Sequence, residues 1–65
     1  MKRRLEIDGI AFELTRNFPG NWDLWEIDLH GKFHILDSGP FPEMKTLARE
    51  VAEERRSDSH EIVFL

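Results

Sequence analysis

Cysteine is absent from the 65 residues. Disulfide staples and thiolate metal sites are therefore excluded, and the composition suits a reducing compartment. No apolar run approaches the roughly 20 residues needed to span a bilayer. The start of the chain, Met1-Lys2-Arg3-Arg4, is basic, but no apolar segment follows it as in a secretory signal. Cytoplasm is the expected location, with no membrane partner. Basic side chains are the minority, nine against 13 acidic ones, for a net charge of −4. A nucleic-acid backbone is usually held by a basic face, so direct nucleic-acid contact is not expected. The balance points to a basic partner, or to solubility alone.

Length is also scarce. A chain of 65 residues makes one domain, residues 1–65, and such a domain buries only about 60% of its unfolded surface. Roughly a dozen apolar side chains can be buried, at about 1.5–3 kcal/mol each before entropy is subtracted. A core that thin leaves little room for a deep pocket, which argues against pocket-based catalysis.

What is present reads as an α+β fold: an antiparallel sheet of four consecutive strands, one helix packed on one face, and a short fifth strand at the C-terminus. The organising stretch runs from Trp22 to Leu36. Trp22–Asp28 and Lys32–Leu36 alternate in polarity on either side of Leu29-His30-Gly31. Such a loop needs a positive φ at its last position, which Gly31 supplies. The register then pairs Asp28 with Lys32, Ile27 with Phe33, Glu26 with His34 and Trp25 with Ile35. One face carries Trp25, Ile27, Phe33 and Ile35 and is expected to be covered. The other carries Glu26, Asp28, Lys32 and His34, with Trp22 and Leu24 further along.

An earlier hairpin spans Arg3–Asp8 and Ile10–Arg16. Asp8-Gly9 forms its turn, because both central positions of that turn favour positive φ. Leu5 then lies opposite Phe12 and Ile7 opposite Ile10, so the apolar sets coincide. Asn17-Phe18-Pro19-Gly20-Asn21 is a loop on composition.

Asp37-Ser38-Gly39-Pro40 ends the sheet, and Phe41-Pro42 opens a helix. Met44, Leu47, Ala48 and Val51 recur at helical spacing and should pack on the sheet. Lys45, Arg49, Glu50, Glu53 and Glu54 should face water, with Arg49 and Glu53 paired one turn apart. Ser57-Asp58-Ser59 is the expected helix stop. His60–Leu65, ending in four apolar residues, is read as the fifth strand or as the seam of a homodimer. No internal repeat extends beyond the two hairpins, and no segment is of low complexity.

The candidate chemistry is sparse. Zinc needs three or four converging ligands. His30 lies in a turn, His34 in a strand and His60 far off, so no metal site is assigned. Ser38, Ser57 and Ser59 sit beside Gly or Asp, where turn and cap roles account for them. No catalytic group and no cofactor is expected. Glu6, Asp8, Glu13, Asp23, Glu26 and Asp28 all fall in the strands or their turns, and several would line the sheet face away from the helix. A row of carboxylates there would imitate phosphates for a basic groove. Trp22, and with it Phe18, would be the anchor, since tryptophan is enriched at interface hot spots. The candidate partner-binding residues are Glu13, Trp22, Asp23, Glu26 and Asp28.

Two resemblances follow from these residues. The run of antiparallel strands leading through Gly39-Pro40-Phe41-Pro42-Glu43-Met44-Lys45 into a helix is similar to the N-terminal DNA-binding domains of phage-type integrases. That resemblance implies a small nucleic-acid-binding module, although the integrase sheet is basic and this one acidic, and no residue is carried over from it. From the chain's own basic residues, such a module would use Arg3, Arg4 and the helix arginines. In length, acidity and bare sheet-plus-helix layout the whole chain also resembles small phage-encoded inhibitors of the anti-CRISPR type. That resemblance implies a non-catalytic inhibitor whose acidic surface occupies a basic, nucleic-acid-binding site on a larger protein, such as a CRISPR effector subunit in the host cytoplasm.

Overall fold

A computed structural model describes the backbone of residues 2–64 and the side chains of residues 2–56. Four strands follow one another: β1 (Lys2–Ile7), β2 (Ile10–Phe18), β3 (Asn21–Ile27) and β4 (Phe33–Gly39). They form one antiparallel sheet in the order β1-β2-β3-β4. Among the described residues one helix, α1 (Phe41–Phe64), packs against one face. The α+β architecture expected from the sequence is the one observed. The helix runs on through the stop expected at Ser57–Ser59. The fifth strand expected over His60–Leu65 and the dimer seam assigned to it lie outside the residues described in full.

The turns explain the registers. Asp8 and Gly9 have φ of 51° and 81°, the paired positive values of a tight two-residue hairpin turn. They set Ile7 opposite Ile10 and Leu5 opposite Phe12. Gly31 has φ 81°, and the Gly31 N–H donates to the Asp28 carbonyl at 3.0 Å. That turn sets Ile27 opposite Phe33, Glu26 opposite His34 and Trp25 opposite Ile35, as the alternation demands. The five-residue segment read as a loop on composition narrows to a two-residue connection. β2 runs to Phe18, β3 begins at Asn21, and only Pro19 and Gly20 lie between them. A register shift between Arg16 and Phe18 absorbs the extra residue.

The tight β2–β3 turn ties the two hairpins into one register, with Leu14 opposite Leu24, Phe12 opposite Glu26 and Glu13 opposite Trp25. Directly paired residues share a face. One face therefore collects Leu5, Ile7, Ile10, Phe12, Leu14, Trp22 and Leu24, and the helix lies on that side. Phe12, Leu14 and Leu24 are fully buried beneath Met44, Ala48 and Ala52, with Leu36, Leu47 and Val51 at the margin. Two alanines at the contact let the helix axis come close to the sheet.

This arrangement corrects one expectation. The covered face of the second hairpin is the one with Trp22, Leu24 and Glu26, and Trp25, Ile27, Phe33 and Ile35 face away from the helix. Phe33 and Ile35 remain 45% and 55% exposed. Seven apolar positions of β1–β3 outweigh four in β3–β4, because one helix can cover only one face.

Candidate functional site

The uncovered sheet face has three cross-strand rows, read from the pairings: Lys2–Thr15–Asp23–Ser38, then Arg4–Glu13–Trp25–Ile35, then Glu6–Ala11–Ile27–Phe33. Its centre is apolar and held in place. Trp25 Nε1–H donates to Thr15 Oγ1 at 2.9 Å. The Trp25 and Phe33 rings meet edge to face at 6.3 Å between centroids, a geometry that aromatic quadrupoles favour. Ile35 completes the patch on the β4 side. Leu29, at the tip of the adjoining turn, is fully exposed.

The rim is charged. Arg4 donates to Glu13 Oε1 at 3.2 Å, which leaves Glu13 buried although it lies on the uncovered face. Asp23 Oδ1 accepts from Asn17 Nδ2 at 3.0 Å and from the Ser38 hydroxyl. Both donors are neutral, so the Asp23 charge is not cancelled. Among the described residues, no lysine, arginine or histidine lies within 4.0 Å of the carboxylates of Asp23 or Glu6.

The five residues singled out from the sequence are not brought together. Glu13 and Asp23 lie on the uncovered face. Glu26 lies on the helix-covered face, nearly buried, and receives both guanidinium nitrogens of Arg55 at 2.6 and 2.8 Å. Trp22 is also on that face and is 8% exposed, with its ring against Phe41 at 4.9 Å. It is core rather than an outward anchor. Asp28 belongs to the turn, where its carboxylate accepts from the His30 and Lys32 amides at 2.8 and 2.9 Å and bonds His34 Nε2 at 2.8 Å. The His34 bond, then the backbone donors, hold its carboxyl below the usual carboxylate range.

Sequence reasoning missed Trp25, Phe33 and Ile35 as surface groups. The signal lay in the β2–β3 register, which puts Trp25 opposite the polar Glu13 and Leu24 opposite the apolar Leu14. Phe18, named with Trp22 as an anchor, is 61% exposed at the far end of β2. Of the histidines in described positions, His30 is exposed on the turn and His34 is held by Asp28. Among the described residues, no three His, Asp or Glu side chains gather as a metal would need. Among the described residues, no helix is long and apolar enough to cross a membrane. No family model matches the chain, and neither a curated protein nor a solved structure matches it.

Proposed function

We propose that the chain is a non-catalytic binding protein that engages a partner protein through the uncovered face of its sheet. The observation that carries this reading is the patch of Trp25, Phe33 and Ile35, held firmly and left open to water on a domain too small to spare apolar surface. Tryptophan in a packed, partly desolvated setting is a typical hot-spot residue. Leu29 extends the patch past the end of the strands.

The partner's chemistry follows from the rim. Among the described residues, Asp23 and Glu6 have no basic side chain within 4.0 Å. Lys2 shares the Asp23 row, and the net charge of −4 tips the balance to the acidic side. An apolar depression edged with lysine or arginine is the complementary surface, and the charges would speed encounter more than they tighten the complex. This supports an inhibitor or adaptor acting on a basic protein, such as one that binds nucleic acid. Contact would come through an apolar anchor with an acidic edge. A row of carboxylates standing in for phosphates receives less support, because Glu13 and Glu26 are each held by an arginine.

The test compares the native protein with Phe33→Ser/Ile35→Ser in pull-downs from a host lysate, with retained proteins identified by mass spectrometry. The expected result is a basic protein retained by the native chain and lost with the double variant, whose circular dichroism is unchanged. Retention of the same proteins by both forms would overturn the assignment of this face.

A further inference from the structure

On the side of the helix next to β1, three cations converge without an acid. Arg3 comes from the edge strand, in line with Leu14 on the helix-covered face. Lys45 and Arg49 come from successive turns of α1. Among the described residues, no carboxylate lies within 4.0 Å of any of the three, although Arg4, Arg55 and Arg56 all have one. The Arg49–Glu53 pair expected from spacing is not formed. Among the described residues, Lys2, Arg16 and Lys32 likewise have no carboxylate within 4.0 Å, so what sets Arg3, Lys45 and Arg49 apart is their grouping around one aromatic ring.

Phe41 supplies the geometry. Arg3 Cζ lies 5.4 Å from the centre of its ring and Lys45 Nζ lies 5.9 Å from it. The edge contact with buried Trp22 fixes that ring. A cation held over a ring is positioned without losing its charge or its N–H donors, whereas a carboxylate would consume both. The same groups border two adjoining hollows. One, of about 150 Å³, is lined by Arg3, Arg4, Leu5, Leu14, Phe41 and Lys45. The other, of about 270 Å³, is lined by Phe41, Pro42, Lys45, Thr46 and Arg49. Lys45 and Phe41 form their common wall. The first turn of α1 borders both hollows, and its own Glu43 offsets the positive end of the helix dipole there.

We propose that this cleft binds a small ligand bearing two linked phosphates. One phosphate sits between Arg3 and Lys45, the second between Lys45 and Arg49. The planar guanidinium fork of each arginine can engage two oxygens of one phosphate, and lysine serves as the shared point charge. A long polyanion fits less well, because Glu43 and Glu50 on the same helix, with the net negative charge, repel chain that extends beyond the cleft. Of the lining residues, Arg4 alone also belongs to the uncovered sheet face, where it bonds Glu13.

Amide and arginine side-chain correlation spectra of the full 65-residue protein, titrated with pyrophosphate at constant ionic strength, test it. Saturable shifts confined to Arg3, Phe41, Lys45, Thr46 and Arg49 are expected, with inorganic phosphate binding the same residues about tenfold more weakly. Lys45→Met should weaken pyrophosphate binding by about tenfold or more. Arg49→Gln, at an exposed position, should weaken it several-fold, and the dispersion of each spectrum reports that the variant is folded. Shifts without a plateau up to about 10 mM, shifts spread equally over Lys2, Arg16 and Lys32, or a folded Lys45→Met with unchanged affinity would each overturn the proposal. So would binding of a short single-stranded oligonucleotide in the absence of pyrophosphate binding, which would move the cleft to nucleic-acid recognition.

Discussion

Arg55→Met and Glu26→Leu remove the two halves of one ion pair, and the structure makes their costs unequal. The Glu26 side chain is 10% exposed and lies under the helix, while Arg55 is 52% exposed. Without Arg55, a carboxylate is left unpaired in a dry place. Losing one partner of a fully buried pair costs about 3–5 kcal/mol. Arg55 stands half in water, so solvent can partly replace it, and about 2–3 kcal/mol is the scaled expectation. Without Glu26, the guanidinium returns to water, and a leucine beside Phe12 adds apolar contact, so the cost should stay below about 1 kcal/mol. The double variant should then be more stable than Arg55→Met alone. For a domain of this size, 1 kcal/mol moves the thermal midpoint by about 4–8 °C, so Arg55→Met should melt roughly 10–20 °C below the native chain. Thermal unfolding followed by circular dichroism on all four proteins completes the cycle. Equal losses in the two single variants, or losses under about 0.5 kcal/mol in both, would mean that the pair behaves as a solvated surface contact and that Glu26 is not sequestered by the helix.

Three further outcomes can be checked on the purified domain. Asp28 has its folded pKa depressed below 3.8, chiefly by His34 and then by the Lys32 and His30 amides, so its contribution to stability is present above that value and lost as pH falls through the folded one. Asp28→Asn should therefore lower the thermal midpoint at neutral pH, with the gap to the native chain closing on acidification below 3.8. Gly31→Ala meets no atom within 4 Å, so its whole cost is the strain of φ +81°, about 1 kcal/mol by urea unfolding. Ala48→Leu puts a larger side chain where the helix touches the sheet with no exposed surface, and overpacking should cost about 1–3 kcal/mol on the same assay.

Local chemistry made the elements readable. Asp8-Gly9 and Gly31 each demand positive φ at a stated place, and once a turn is set the period of two leaves one register per hairpin. Met44, Leu47, Ala48 and Val51 mark the inner face of the helix by spacing alone. Ala52 belongs there too and is fully buried, but alanine is too common on both sides of helices to stand out. The β2–β3 connection was harder to read. Asn17-Phe18-Pro19-Gly20-Asn21 has the composition of a loop, yet Asn17 bonds both Asp23 and Asn21 across the turn and stabilises a close return.

The candidate site turned on which face the helix covers, and no single hairpin contains that information. Within β3 and β4 both faces are partly apolar, Trp22 and Leu24 on one side and Trp25, Ile27, Phe33 and Ile35 on the other. Judged alone, the larger set is the better core. Joining β2 to β3 reverses the choice, because Phe12 and Leu14 can be buried only together with Leu24 and Trp22. Glu26 is then carried under the helix by its place in the strand, and it needs a cation there. Arg55, seven residues beyond the buried Ala48 and on the same side of α1, meets that need. An acid on a covered face and an arginine two turns past a buried alanine are one feature: the register that turns Trp25 and Phe33 outward carries Glu26 inward, and Arg55 meets it there.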